Sequence, residues 1–383
     1  MTTSLVKRVF QEWATIELDD DESVRLAEAA ARSTADPRVD PARFREEAKN
    51  GWAALNQSTR NGVEQFAKGT TSRPEVYVTN LPVDPDLPAT PLIGQTTDAV
   101  TNTLGEFIMV TFSLALGFPI SYRDQRAGRL VHDVYPTSKN AEKVSSQSSS
   151  VSLGFHTEMF FHPAPPDFLI LHCLRADPAG KAATSIASLT DIQRQLTVQE
   201  IAVLTAPMFA MDLARLHGTY RCEGRPIRHA DPRPVFQIID EHAGGVQFRF
   251  EPELTTAVGP EARQAMAAAD NAAEAVSVSG RLEQGGMLLL DNRRAVHSRS
   301  PFRANFDGND RWLRRMMVGS HPSGDSSGGL AARGFHERPD LELAKAWERT
   351  GASLQVIPYS TQEQMAQTAA PTGAAMNQTG EGH

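Results

Sequence analysis

A histidine and a glutamate two residues apart, in Gly154-Phe155-His156-Thr157-Glu158-Met159-Phe160, set the tightest limit on how this chain folds. In an extended segment alternate side chains share a face, so His156 and Glu158 project together. Alone, such a pair is common and carries little. A second imidazole from a distant strand, His297 in Asp291-Asn292-Arg293-Arg294-Ala295-Val296-His297, would complete two histidines and one carboxylate on one side of a metal ion. That arrangement leaves the metal's opposite side open, as expected of non-haem Fe(II) oxygenases. It also requires two strands remote in sequence to lie together. With metal–ligand bonds of about 2 Å, the donor atoms should lie within roughly 4 Å of one another.

Fourteen residues beyond His297 comes Arg311, in Asp310-Arg311-Trp312-Leu313-Arg314-Arg315-Met316-Met317-Val318. As a strand, this segment places Arg311, Leu313 and Arg315 on one face and Trp312, Arg314 and Met316 on the other. Two guanidiniums on the inner face of an apolar strand are costly unless each meets an anion. Arginine's planar fork holds a carboxylate through two parallel hydrogen bonds. The pattern therefore suggests two carboxylate-bearing small molecules near one metal. A solvated edge strand with three surface arginines is the competing reading.

Over roughly residues 75–320 the chain resembles the Fe(II)/2-oxoglutarate-dependent oxygenases. The likeness is to the clavaminate synthase-like branch, whose members hydroxylate free amino acids such as arginine, lysine and asparagine. It is carried by Gly154-Phe155-His156-Thr157-Glu158, by Asp291-Asn292-Arg293-Arg294-Ala295-Val296-His297-Ser298-Arg299-Ser300, and by Arg311. The resemblance implies that His156, Glu158 and His297 hold Fe(II), and that Arg311 binds the distal carboxylate of the cosubstrate 2-oxoglutarate with help from Thr184. It implies that Arg315 pairs with a substrate α-carboxylate and that Gln125 helps hold the α-amino group. Dioxygen is the remaining reactant. Related halogenases carry a small residue in place of Glu158, so the glutamate argues for oxygenation.

Glu251 and Glu253 share a face if the chain stays extended after Arg249-Phe250. They fall where the family grips a cationic or amide-bearing substrate tail, although Asp is more usual there. Two carboxylates would repel an anionic side chain in a partly desolvated site, so lysine-, arginine-, ornithine- or citrulline-like substrates fit better than glutamate or aspartate. The implied reaction is hydroxylation of an unactivated Cβ–H or Cγ–H of a free amino acid, in specialised metabolism such as antibiotic biosynthesis. An Asn/Gln-like substrate, desaturation and cyclisation are alternatives. A zinc-dependent hydrolase could use the same ligand types, but has no need of Arg311.

The formal charge of −8 and the lack of a basic stripe with interleaved aromatics argue against a nucleic-acid partner. Cys173 and Cys222, two cysteines among 383 residues, form no disulfide framework or zinc set, and Cys173 reads as a buried free thiol. His162, His172, His217, His229 and His242 read as surface or loop residues rather than ligands. Met1 to Phe10 lacks an apolar signal region, and Phe107 to Ile120 is too short and mixed to span a bilayer. No membrane partner is expected, and a cytoplasmic location is the default. Oligomeric state is open.

The expected fold is mainly β with packed helices around a double-stranded β-helix, or jelly-roll, core. Residues 1–75 read as a helical region packed on it, and 76–320 as the core, with a lid at about 213–230. Residues 321–359 read as a C-terminal extension and 360–383 as a disordered tail. Strands are expected at Val151–Glu158, Asp167–Leu174, Ala183–Ser188, Val235–Ile239, Val246–Phe250, Gly286–Asp291 and Arg311–Val318, the short Pro- and Gly-broken pattern of a double sheet. Helices are expected at 99–116, 190–205 and 260–280.

Overall fold

A computed structural model describes residues 13–37, 39–92, 103–122, 129–143, 145–160, 165–211, 221–222, 225–226, 233–242, 245–320, 331–333 and 356–357. The described chain opens with β1 (Thr15–Glu17) and three helices, α1 (Asp20–Ala31), α2 (Pro41–Ala54) and α3 (Gln57–Ala67). Asp19 and Asp40 cap α1 and α2 by accepting from the backbone N–H of Glu22 and Arg43, and Pro41 opens α2 where its missing N–H is harmless. Next come β2 (Glu75–Thr79), α4 (Thr103–Leu116), β3 (Phe118–Tyr122), β4 (Val131–Val134), β5 (Leu153–His156), β6 (Phe168–Arg175) and β7 (Ala183–Ser188).

The stretch expected as one helix over 190–205 is two, α5 (Leu189–Gln195) and α6 (Val198–Leu204). Thr197 and Glu200 form a reciprocal capping box that starts the second helix afresh. There follow β8 (Phe209–Met211), β9 (Arg221–Cys222), β10 (Arg225–Pro226), β11 (Arg233–Phe236), β12 (Ile239–His242), β13 (Gly245–Phe248) and β14 (Thr255–Ala257). The single strand expected at Val235–Ile239 is therefore divided, because β11 pairs with β8 while β12 forms a hairpin with β13. The helix expected over 260–280 is α7 (Gly259–Val276), and its last residues belong to β15 (Val278–Arg281). Strands β16 (Met287–Asp291), β17 (Ala295–Arg299), β18 (Trp312–Gly319), β19 (Ala331–Arg333) and β20 (Val356–Ile357) complete the described elements.

Two sheets face each other. The larger runs β1-β2-β16-β6-β18-β3-β19, with β4 also on β18, and the smaller runs β15-β7-β17-β5. The larger sheet is buried on both sides, which explains the unbroken apolar runs of β6 and β16. Its Leu169, Leu171, Leu288, Leu290, Leu313 and Met317 pack between the sheets with Ile186 and Val296 of the smaller one. The alternate residues Phe168, Ile170, Met287, Leu289, Met316 and Val318 pack outward against helical Leu26, Phe44, Phe66 and Phe112. The helices can lie this close because Gly51 of α2 has no Cβ: one there would stand 2.5 Å from Thr111 Oγ1 and 2.7 Å from the Phe107 ring of α4. This is the jelly-roll architecture with helices packed on the larger sheet.

Cys173 is a buried free thiol, pushed up to about 12 by burial. His172 corrects the expectation of a surface or loop histidine. It is a buried residue of β6, and burial followed by the nearby Arg314 lowers it to about 3. Its place on the larger sheet is paired with Met287 and Arg314, and it is not among the residues grouped as metal donors. Most of the lid expected at 213–230, His162, His217, His229, nearly all of 321–359 and the whole of 360–383 lie outside the described residues. Among the described residues no helix is long and apolar enough to cross a membrane.

Candidate metal centre

His156 and His297 are direct partners across the antiparallel ladder of β5 and β17, with ring centroids 4.2 Å apart. The neighbouring ladder runs in regular register from Ala295↔Ser188 to Arg299↔Thr184, so β17 is held from both sides. Glu158 follows the end of β5, where two side chains fix the backbone. Thr157 mimics a ladder partner: its N–H donates to the Phe250 carbonyl (2.8 Å) and its Oγ1 accepts from the Phe250 N–H (3.0 Å). Asn292 then grips Glu158 from the other motif. Its Oδ1 accepts from the Glu158 N–H (2.8 Å), and its Nδ2 donates to the carbonyls of Glu158 (3.2 Å) and Pro166 (2.9 Å). Met159, in the left-handed region at φ 53, turns the chain away immediately afterwards.

His156, Glu158 and His297 each offer a donor atom, all within 4.8 Å of one another. The spread exceeds the roughly 4 Å expected for closed coordination, because the Glu158 carboxylate is turned onto Arg315. That arginine's Nη1 donates to both carboxylate oxygens, at 2.8 and 3.0 Å, while its Nη2 lies 3.1 Å from His132 Nδ1. His297 Nε2 stands 4.0 Å from the nearer Glu158 oxygen.

The electrostatics suit a cation. Burial lowers the pKa of His156, and burial followed by His156 and Arg315 lowers that of His297 further, so both imidazoles are held neutral, the ligating form. His156 Nδ1 hydrogen-bonds the Gly154 carbonyl at 2.9 Å, which leaves Nε2 with its lone pair free. Burial opposes charge on Glu158, but Arg315, followed by His156 and His132, holds its carboxyl below the ordinary value. Two neutral imidazoles and one carboxylate on neighbouring strand positions fit Fe(II).

Two further groups of side chains flank this centre. On one side lie Arg311, Arg299 and Thr184, all buried. Arg299 pairs directly with Thr184 across β17 and β7, and the charges of Arg299 and Arg311 act on one another. No carboxylate pairs with Arg311 among the described residues; Cys173 and Asp177 are the groups whose charge favours its own. On another side are Glu251 and Glu253. Burial raises Glu251 well above the ordinary carboxylate range, and Glu253 and then Glu158 add to the rise. The Glu253 carboxylate lies over Gly154, with Oε1 3.6 Å from where a Cβ would stand, and its charge reaches His156. Gln125 lies outside the described residues.

Asn292, Thr157, His132 and Arg299 were not singled out in the sequence. The signal for Asn292 and Arg299 was their place in the motif around His297. Nothing in the sequence marked His132.

A jelly roll presenting two histidines and a glutamate from its smaller sheet, with Arg315 of the facing strand turned toward them, defines a class of non-haem iron oxygenase. The comparisons agree. The profile of the family described as "Taurine catabolism dioxygenase TauD, TfdA family" matches residues 91–317, and the chain belongs to this family. It is 32% identical to the L-lysine 3-hydroxylase of Catenulispora acidiphila over 256 residues, covering 67% of this chain and 70% of that one. It is 30% identical to clavaminate synthase 2 of Streptomyces clavuligerus over 300 residues, covering 77% and 89%. Asparagine oxygenase, solved with Fe(II), 2S,3S-3-hydroxyasparagine and succinate, superposes with a TM-score of 0.71 at 27% identity, covering 83% of this chain and 99% of that one. The protein is an Fe(II)/2-oxoglutarate-dependent oxygenase of the amino-acid-hydroxylating kind.

Proposed function

We propose that this enzyme hydroxylates the Cβ or Cγ of a free amino acid whose side chain is basic or bears a ureido or carbamoyl group. The observation that carries the reading is the acidic end of the site. Glu251 is half-buried beside the exposed Glu253 and feels the charge of Glu158, and Asp270 of α7 is raised by burial and then by the charges of Glu274 and Glu253. Such an end repels an anionic tail and favours a cationic one. The carboxylates of this end can also accept hydrogen bonds from a carbamoyl or ureido N–H, which keeps citrulline- and asparagine-like tails within the reading.

When bound, iron with 2-oxoglutarate and dioxygen supplies the oxidising power to convert a C–H into a C–OH. The protein's own residues bind and orient. His156, Glu158 and His297 hold the metal. Arg311 receives the distal carboxylate of 2-oxoglutarate, with Thr184 beside it. Arg315 takes the substrate α-carboxylate in place of its present partner Glu158, and Gln125 takes the α-amino group. Anchoring the substrate at both ends selects one methylene among chemically similar ones by position alone. The natural context of the reaction is specialised metabolism.

The test is a screen of metal-loaded enzyme with 2-oxoglutarate against the protein amino acids plus ornithine, citrulline and homoarginine. Succinate release and product mass are recorded. The expected result is strongest release with a basic or ureido amino acid, giving a product one oxygen atom heavier. Activity confined to acidic amino acids, or to a peptide- or carrier-bound residue with no free α-carboxylate, would sink it.

A further inference from the structure

Arg299 has no assigned task, and its surroundings give it only half of one. Its Nη2 donates to Ser148 Oγ (2.6 Å) and to the Val151 carbonyl (2.8 Å), tying β17 to the loop that enters β5. Its guanidinium carbon lies 5.2 Å from the centre of the Phe302 ring. Among the described residues, its Nε and Nη1 are buried with no hydrogen-bond partner. Buried donors of a charged group are rarely left unmet, because each forfeits its hydration without replacement. A loop staple alone needs one edge of the guanidinium; the other edge, carrying two unmet donors, is the fork geometry that suits a carboxylate.

The neighbours of Arg299 sharpen this. Across the ladder it faces Thr184, and the charge of Arg311 acts on it. Both guanidiniums are buried, Arg299 at 7% exposure and Arg311 at 6%. Two like charges enclosed together, with no carboxylate paired to either among the described residues, repel unless an anion is brought between them.

We propose that Arg299 is a second binding residue for the distal carboxylate of 2-oxoglutarate, gripping it with Nε and Nη1 beside Arg311 and so selecting dicarboxylic over monocarboxylic 2-oxo acids. This rests on the reading of Arg311 given above, and it adds a cation that the pattern around His297 did not assign.

The experiment measures binding, not turnover. Anaerobic calorimetry on Fe(II)-loaded enzyme compares 2-oxoglutarate with 2-oxobutyrate, which keeps the keto acid and lacks the distal carboxylate. The wild type is expected to prefer 2-oxoglutarate. Arg299→Gln should weaken 2-oxoglutarate about tenfold or more, as loss of a charge-assisted fork implies, while 2-oxobutyrate is unchanged. Equal weakening of both acids would show that Arg299 only holds the loop, and unchanged 2-oxoglutarate binding would likewise overturn the proposal. If Arg299→Gln does not fold, Arg299→Lys decides by the same ratio, since it keeps the charge without the fork. A wild type that binds both acids equally overturns the reading of Arg311 and this proposal with it; a wild-type preference for 2-oxoglutarate that Arg299→Gln leaves unchanged overturns this proposal alone.

Discussion

Arg314 and Arg315 are consecutive on β18, and both are paired to a carboxylate, yet the two faces of the strand put them to opposite uses. Arg314 points to the helix-covered side. It is 1% exposed and reaches Asp133 of β4 at 3.2 Å, where the Trp312 indole N–H also donates at 2.8 Å. Asp133 serves no metal or cosubstrate, so this pair is architecture. Arg315 points between the sheets, and its partner Glu158 is one of three metal donors. Among the described residues its Nε is buried without a hydrogen-bond partner. The carboxylate on the inner face is also a metal donor, whereas Asp133 on the outer face is not among those donors. The chemistry of a buried ion pair depends less on its strength than on whether either member has a second claim on it.

The largest effect that tests this contrast belongs to the inner face. His297→Ala should abolish stoichiometric iron binding and reduce substrate-coupled succinate release by about a thousandfold or more, with little change in the urea midpoint. A variant that still binds iron normally would remove His297 from the ligand set.

On the outer face the sign is reversed. Asp133→Ala takes a buried carboxylate from Arg314 and the acceptor from the Trp312 indole, and about 3–5 kcal/mol of stability should be lost in urea titration, while the metal-loaded protein that stays folded binds 2-oxoglutarate as before. A loss under 1 kcal/mol, on the scale of an exposed pair, would mean Arg314 is not held as described.

Arg315→Ala should fall between. The substrate concentration for half-maximal rate should rise about 10- to 100-fold, as one charge-assisted contact implies, with a much smaller change for 2-oxoglutarate. Equal rises for both would place Arg315 in metal binding alone.

The smallest effect concerns Glu75 on β2, where burial raises the carboxyl to about 7 against the pull of Arg73, and one carboxylate oxygen has no hydrogen-bond partner. The folded protein keeps this proton between pH 4.5, the ordinary value, and about 7, whereas the unfolded chain has released it. Stability contributed by this group is therefore lost as pH rises through that window, by about 1 kcal/mol per pH unit. Glu75→Gln should flatten the decline; an unchanged pH profile in the variant would show that Glu75 is ionised throughout.

The metal donors were legible because a period of two needs no tertiary information: once Val151–Glu158 is taken as extended, His156 and Glu158 must share a side. The jelly roll and the burial of Cys173 followed from short apolar runs in the same way. What stayed hidden depends on distance through space. Asn292 holds Glu158 by side chain to backbone, and no pattern announces a peg whose partner lies 134 positions away. The division of Val235–Ile239 was invisible because β11 and β12 choose different partners although their residues read as one apolar run. His172 looked like a loop histidine by type, and only pairing inside β6 buries it.

The grip of Asn292 on Glu158 also fixes when this protein becomes an enzyme. Asn292 sits at the corner where the chain passes from β16 in the larger sheet to β17 in the smaller, and its reach to Glu158 closes only after the sheets have met. The first two donors are neighbours in sequence, but the third arrives with the far side of that corner. A nascent chain released before residue 297 carries two of the three ligands, and long-range strand pairing of this kind is slow to form. An unfolded chain therefore offers iron no complete ligand set, and the binding free energy of the ion adds to the stability of the joined sheets.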